Sequence, residues 1–141
     1  MNIKWIKLFL RLALSLSFFS AVADRFGMWP TEISTWGSWE AFIAYTQLLN
    51  PWVPISLIPA LGGLATAMEV IFAIALLLGF KTELFAKLSG LLLLIFALSM
   101  VFSTGFKGAF DYSVFSASAA AFALSIINTK FLELDSLLKK S

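Results

Sequence analysis

The stretch ISLIPALGGLATAMEVIFAIALLLGF, residues 55–80, decides the fold because Glu69 is its only charged residue. An α-helix needs about 20 predominantly apolar residues to cross the hydrocarbon core of a bilayer. The stretch therefore predicts a membrane-spanning helix with a carboxyl group near its middle. Inserting such a group costs about 2.5–3.5 kcal/mol, so Glu69 is the first candidate for a functional residue.

Composition extends this prediction to the whole chain of 141 residues. The chain is 60% hydrophobic and 13% charged, whereas soluble domains are about 45–50% apolar and about 25% charged. We therefore predict an all-α fold, a membrane four-helix bundle in a single domain. Its predicted transmembrane segments are about 8–23, 55–80, 84–102 and 112–127.

Basic residues predict the orientation of the bundle, because they are enriched on the cytoplasmic side of a membrane. Of the ten basic residues, Arg25 and Lys107 are the two that lie in the links between helices predicted to be outside. Both termini are therefore predicted in the cytoplasm, with the tail 128–141 on the inner surface. The basic residues on the inner side are Lys4, Lys7, Arg11, Lys81, Lys87, Lys130, Lys139 and Lys140.

The first segment has two further features. Lys4, Lys7 and Arg11 recur at helical spacing and are expected to extend together to the inner headgroups. The basic start, the short apolar core and the sequence AVA at 21–23 also fit a signal peptide. Both interpretations, a first transmembrane helix and a cleaved leader, stay open at this point.

The outer loop, residues 24–54, contains four of the five tryptophans, Trp29, Trp36, Trp39 and Trp52. Ser38 is a suitable N-cap for a helix that ends at Asn50 and Pro51. We predict an amphipathic interfacial helix there. Its aromatic residues either anchor the chain at the headgroup level or form the wall of a pocket, with Trp36 and Trp39 as candidate binding residues.

Small residues surround Glu69 on one helical face and predict that its side chain points into the bundle. Asp24, Arg25 and Asp111 are expected to converge at the outer mouth of the bundle, above Glu69. That arrangement suits the polar head of an amphipathic ligand or the passage of a proton. Simpler roles stay open: a packing hydrogen bond from Ser17 or Ser113 to Glu69, an N-cap for Asp111, and solvated charges for Asp24 and Arg25.

The chain contains no cysteine and no histidine. Disulfide exchange, His-ligated haem and Cys-ligated iron–sulfur clusters are therefore excluded within this chain. No metal is expected either, because the acidic residues are scattered. The net charge of +2 is too small to indicate a nucleic-acid partner, so the expected surroundings are the lipid bilayer.

Several stretches resemble the DoxX family of small bacterial integral membrane proteins. RLALSLSFFSAVADRFG, residues 11–27, is similar to the first helix of that family. ATAMEVIFAIALLLGFKTE, residues 65–83, is similar to its second helix, in which a glutamate precedes an apolar run, Leu-Gly and a charged turn. LNPW at 49–52 and DYSVF at 111–115 are similar to DoxX-like relatives as well.

The resemblance implies a multi-pass protein of the bacterial cytoplasmic (inner) membrane. Some members are subunits of thiosulfate:quinone oxidoreductase, and others are linked to redox complexes or thiol stress. The resemblance therefore implies a subunit or accessory of a quinone-linked redox system. It would have a non-covalently bound quinone as cofactor and a redox subunit or a second copy as partner. In that case Glu69 handles protons, and Asp24, Arg25 and Asp111 shape the outer site.

Two other functions stay open. Small dimeric proton-coupled exporters also keep one glutamate among apolar helices, although theirs lies in the first helix rather than the second. The chain could also be a non-catalytic assembly or scaffold subunit. The run LLLLIF at 91–96 would then face lipid or dock a partner, because it is apolar on nearly every side.

Overall fold

Seven α-helices and one 3-10 turn form the regular structure of residues 1–138, the part of the chain that the computed structural model describes. No strand occurs within these residues, so the all-α prediction is confirmed. The helices are α1 (Ile3–Arg25), α2 (Trp39–Leu49), α3 (Ile58–Leu78), α4 (Thr82–Thr104), α5 (Phe106–Asp111), α6 (Val114–Ser125) and α7 (Leu134–Leu138), with the 3-10 turn Ile55–Leu57 before α3.

Three of these elements are long and apolar enough to cross a membrane, namely α1, α4 and α3 with its 3-10 turn. Both α1 and α4 extend beyond the predicted 8–23 and 84–102. At the start of α1 the Asn2 side chain accepts a hydrogen bond from the Lys4 N–H at 3.0 Å, which caps the additional turn. Gly79, with φ +70°, ends α3 in a left-handed conformation that favours glycine.

The predicted fourth segment, 112–127, is not one continuous helix. Ser113 takes a left-handed conformation with φ +56° between α5 and α6. The break falls within four consecutive exposed residues, 110–113, so no side chain there is fixed by packing against the core. The 12 residues of α6 are about 18 Å long, shorter than the roughly 30 Å of hydrocarbon in a bilayer.

The core lies among α1, α3, α4 and α6, because α1 packs along α3 and α4 packs against α6 and α3. The helix α4 thus packs against two neighbours with one side, while Leu91 and Ile95 are 49% and 59% exposed, so the expectation that residues 91–96 face lipid or a partner stays a prediction. Gly90 permits this packing, since a Cβ there would lie 2.9 Å from the Phe122 ring. The buried apolar side chains of the core are Leu14, Phe18, Phe72, Ala73, Leu76, Ala86, Leu92, Ala121 and Leu124.

The outer helix α2 begins and ends where the sequence predicts. The Ser38 hydroxyl accepts a hydrogen bond from the Ala41 N–H at 3.2 Å, and Asn50 follows the last helical residue. Its apolar face does not point away from the protein, because Phe42 and Thr46 are buried where α2 packs on α3. This face of α2 is covered by protein, and the interfacial position of the helix stays a prediction.

The inner end of the bundle, where α3 ends and α4 begins, holds two buried cations. Lys7 and Arg11 are 2% and 1% exposed, so they do not extend to the headgroups as predicted. The carbonyl groups in the last turn of a helix lack partners within the helix, and the Arg11 guanidinium bonds two of them together with two from the tail. Its acceptors are the carbonyl oxygens of Leu76, Leu77, Phe131 and Leu132, at 2.9–3.1 Å.

The tail folds back against these cations instead of resting on the surface. The Glu133 carboxylate is buried 2.6 Å from Lys7 Nζ, and Lys7 also donates to the carbonyl oxygen of Thr129 at 2.9 Å. Asp135 accepts from the N–H groups of Lys81 and Thr82 at 2.7 and 3.0 Å. Asp135 thereby caps α4. The predicted tail residues Lys139 and Lys140 lie outside the described residues.

Candidate functional site

A buried ion pair connects α1 to α3. Arg25 Nη1 donates to the Glu69 carboxylate and, at 2.7 Å, to the Thr66 hydroxyl. Arg25 and Glu69 are each 3% exposed. Thr66 and Glu69 lie three positions apart on one face of α3, so both reach the same guanidinium group. The prediction that Glu69 points into the bundle is thus confirmed, and Arg25 is its partner.

Two aromatic rings cover the ion pair. The guanidinium carbon of Arg25 lies 4.0 Å from the ring centroid of Phe42 and 5.3 Å from that of Trp36. The two rings meet edge to face, with centroids 5.3 Å apart. A desolvated cation–π contact contributes about 2 kcal/mol. The outer loop and α2 therefore form a lid over the pair, which favours the pocket-wall interpretation for Trp36.

Asp24 holds the lid in place through its carboxylate. It accepts hydrogen bonds from the Ser34 hydroxyl and from the N–H groups of Thr35, Trp36 and Gly37, the first two of these N–H groups at 2.8 and 3.1 Å. Asp24 is 6% exposed, so it is not a solvated interfacial charge. Because it precedes Arg25 directly, one end of α1 positions both the cation and the loop that covers it.

The remaining predicted residues lie elsewhere. Asp111 is exposed and pairs with Lys107 one turn earlier in α5, so it does not join Asp24 and Arg25, contrary to the prediction. It is also the last residue of α5 rather than the N-cap of α6. Trp39 belongs to the lid but not to the cover of the ion pair: its ring stacks on Phe26 with centroids 5.6 Å apart and lies 5.3 Å from that of Phe42. The Ser17 hydroxyl donates to the Ala13 carbonyl oxygen at 2.7 Å and not to Glu69.

An open groove of about 610 Å³ runs along the outer half of α1 beside the lid. One wall is α1 itself, with Leu16, Ser17, Ser20 and Ala21. The opposite wall comes from the outer loop and includes Ile33 and Trp36. Trp36 therefore contributes both to this groove and to the cover of the buried ion pair.

Within residues 1–138 no group of three or more His, Cys, Asp or Glu side chains is placed to hold a metal ion. In comparisons with known proteins, no family model, no curated protein and no solved structure matches this chain.

Sequence reasoning missed several residues of the site. Phe42 and Thr66 were not among the predicted site residues, although an aromatic ring and a hydroxyl group suit a buried cation. Arg25 was named, but with Asp24 and Asp111 as its expected partners. Its position in the last turn of an apolar helix was the available signal, since a desolvated arginine requires an acid on a neighbouring helix.

Proposed function

We propose that the chain is a DoxX-like multi-pass protein of the bacterial cytoplasmic membrane, with four crossings and both termini inside. Three helices of suitable length and composition support this proposal. The proposed fourth crossing consists of α6 and residues 127–130, which have no regular secondary structure and add at most about 13 Å to its roughly 18 Å. The cytoplasmic side is the inner end, where most of the basic residues lie.

We further propose that the protein is a subunit or accessory of a quinone-linked redox system. The buried Arg25–Glu69 pair beneath Trp36 and Phe42 carries this proposal. Burying two charges costs several kcal/mol for each ion, and replacing such a pair by apolar residues is often neutral or stabilising. Packing alone therefore gives little reason for this pair, whereas a polar centre beside a lipid-accessible groove suits the head of a quinone.

In this proposal each part of the site has a separate role. The electrons come from a partner redox subunit, because the chain has no cysteine or histidine that could hold a haem or an iron–sulfur cluster. Glu69 exchanges protons with the quinone oxygen, and Arg25 keeps that carboxyl group oriented. Trp36 and Phe42 exclude water from the pair, which strengthens its electrostatic interactions.

The direct test replaces the pair in two ways. Glu69→Gln leaves Arg25 buried without a counter-ion, so we expect a loss of about 3–5 kcal/mol in stability. The double variant Arg25→Met with Glu69→Leu removes both charges and should recover most of that stability. Quinone retained by the purified double variant should fall about tenfold, as expected when a charge-assisted hydrogen bond is lost, and quinone-coupled turnover in membranes should be lost.

The matched control is Lys107→Met with Asp111→Leu, which removes an ion pair from the exposed surface. That variant should retain quinone and turnover at the wild-type level. A folded Arg25→Met/Glu69→Leu protein that keeps wild-type quinone and turnover would remove the pair from the mechanism.

A further inference from the structure

Two buried N–H groups next to the ion pair have no protein acceptor among the described residues. They are Arg25 Nε and Trp36 Nε1. Toward the other described residues Arg25 donates through Nη1, which bonds Thr66 and Glu69. Leaving a buried donor unsatisfied is unfavourable, and buried polar groups in native proteins nearly always have a partner. Two such donors on adjoining side chains therefore indicate a place for a hydrogen-bond acceptor.

The groove along α1 places a ligand next to these donors. Trp36 forms part of its wall, and the Arg25 guanidinium lies on the Trp36 ring, 5.3 Å from its centroid. The groove volume of about 610 Å³ lies within the range of about 300–1,000 Å³ typical of small-molecule sites. Trp36 therefore belongs both to the wall of the groove and to the surroundings of Arg25, so a molecule in the groove lies against the residue that carries one of the two donors.

The charges around the two donors indicate whether the ligand's acceptor is charged or neutral. Arg25 is already neutralised by Glu69, so the site carries no excess positive charge that would select an anion. Asp24 also lines the groove, but the Ser34 hydroxyl and three backbone N–H groups already occupy its carboxylate. The other lining residues are mainly apolar or hydroxyl-bearing. The best acceptor is therefore a neutral carbonyl oxygen on a lipid-soluble molecule.

We propose that Trp36 Nε1 and Arg25 Nε bind a carbonyl oxygen of a lipid-soluble ligand whose apolar part lies in the α1 groove. This inference rests on the proposed function, since a quinone is a ligand of that class, and it assigns the protein atoms that receive the carbonyl. Trp36 is the better residue to test, because Trp36→Phe keeps an aromatic ring next to Arg25 and removes the indole N–H together with the rest of the pyrrole ring.

The experiment measures binding of decylubiquinone to the purified chain in nanodiscs, by calorimetry and by the infrared stretching frequency of the probe's carbonyl groups. In the wild-type protein one carbonyl band should shift to lower frequency. Trp36→Phe should weaken binding about fivefold, as expected for one neutral hydrogen bond, and should reverse part of that shift. Trp52→Phe removes an indole N–H elsewhere in the outer loop and should change neither quantity.

The outcomes separate this inference from the proposed function. If decylubiquinone binds the wild-type protein but Trp36→Phe changes neither affinity nor the carbonyl band, the carbonyl assignment is wrong and the proposed function survives. Equal affinity for an analogue whose carbonyls are replaced by methyl ethers would also overturn the assignment. If decylubiquinone does not bind the wild-type protein, both the assignment and the proposed function fail.

Discussion

At the scale of single residues, Asp24 connects the outer loop to the end of α1 that carries Arg25. Its carboxylate gathers four donors from residues 34–37, and its neighbour Arg25 enters the bundle to meet Glu69. An ionised acceptor makes stronger hydrogen bonds than a neutral one. Asp24 therefore positions Trp36 over Arg25 although it contacts neither the guanidinium group nor Glu69 through a hydrogen bond.

Replacing Asp24 tests this positioning role. Asp24→Ala removes the acceptor of the backbone N–H of Trp36. We therefore expect a loss of about 1.5–3 kcal/mol in stability and a more exposed Trp36 side chain. Thermal unfolding and acrylamide quenching of tryptophan fluorescence measure the two effects. Asp111→Ala is the control, because an exposed ion pair contributes about 0–1 kcal/mol. Equal effects of the two substitutions would contradict the role assigned to Asp24.

At the scale of elements, the approach of α2 to α3 depends on one of two adjacent glycines. A Cβ on Gly62 would lie 2.6 Å from Ile43 Cδ1 and 3.2 Å from Phe42 Cε1, whereas a Cβ on Gly63 would meet nothing within 4 Å. Of these two neighbours on α3, Gly62 therefore lies in the contact with α2 and Gly63 lies outside it. The absence of a side chain at Gly62 thus lets Ile43 and Phe42 of the lid pack closely on α3.

The pair of variants Gly62→Ala and Gly63→Ala tests this contact. Gly62→Ala should displace α2 and destabilise the protein by about 1–3 kcal/mol, as overpacking does. Gly63→Ala should stabilise α3 by up to about 1 kcal/mol, because alanine favours a helix more than glycine does. Thermal unfolding gives both values, and proteolysis within α2 reports the displacement. A destabilisation of similar size for both variants would show that the α2 contact does not depend on Gly62.

The carboxyl group of Asp135, which connects the tail to the start of α4, titrates in acid. Burial acts to raise the pKa of Asp135, but the N–H groups of Thr82 and Lys81 and the Lys130 ammonium group outweigh it and lower that pKa. A carboxyl group with a lowered pKa in the folded state stabilises the fold above its unfolded pKa. This stability is lost as the pH falls through the folded pKa.

The consequence is a weaker attachment of the tail in acid. As the pH falls below about 4, the ordinary pKa of an aspartate, the melting temperature of the wild-type protein should decline towards that of Asp135→Asn. At pH 7 the Asn variant should already melt lower, and its melting temperature should depend less on pH in the acid range. Parallel curves for the two proteins from pH 7 to pH 3 would rule out a contribution from Asp135.

At the scale of the whole molecule, the orientation proposed here places the inner end and the outer loop on opposite sides of a membrane. Lys7 and Arg11 are buried and give no information on the orientation, because Lys7 pairs with Glu133 and Arg11 donates to backbone carbonyl oxygens of α3 and the tail. The orientation then depends on the basic residues that remain accessible, among them Lys87, which is half exposed, and on Lys107 on the other side.

Single-cysteine labelling tests this orientation directly, since the natural chain has no cysteine. In intact cells a membrane-impermeant maleimide should label Lys107→Cys and leave Lys87→Cys unlabelled until the membrane is permeabilised. Both positions are accessible in the folded protein, with side chains 86% and 51% exposed. Labelling of both cysteines, or of Lys87→Cys alone, in intact cells would contradict a membrane arrangement with both termini inside.

The sequence predicted those features that depend on local pattern. The apolar runs at 55–80 and 84–102 were sufficient to predict two long helices, because a helix of that composition satisfies its own backbone wherever it lies. The outer helix was predictable to its last residue, since Ser38 and Pro51 act on their immediate neighbours. The small residues around Glu69 also indicated correctly that its side chain points inward.

Which side chains form ion pairs with each other was decided only by the tertiary structure. Whether Arg25 meets Asp111 or Glu69, and whether Lys7 meets a headgroup or Glu133, depends on how helices distant in sequence are placed beside one another. A uniformly apolar helix such as α4 carries no periodic signal of which side will pack, so its packed side followed from the close contact at Gly90. Charges buried on folding require specific partners because water no longer solvates them, and no spacing along the chain states which partner that will be.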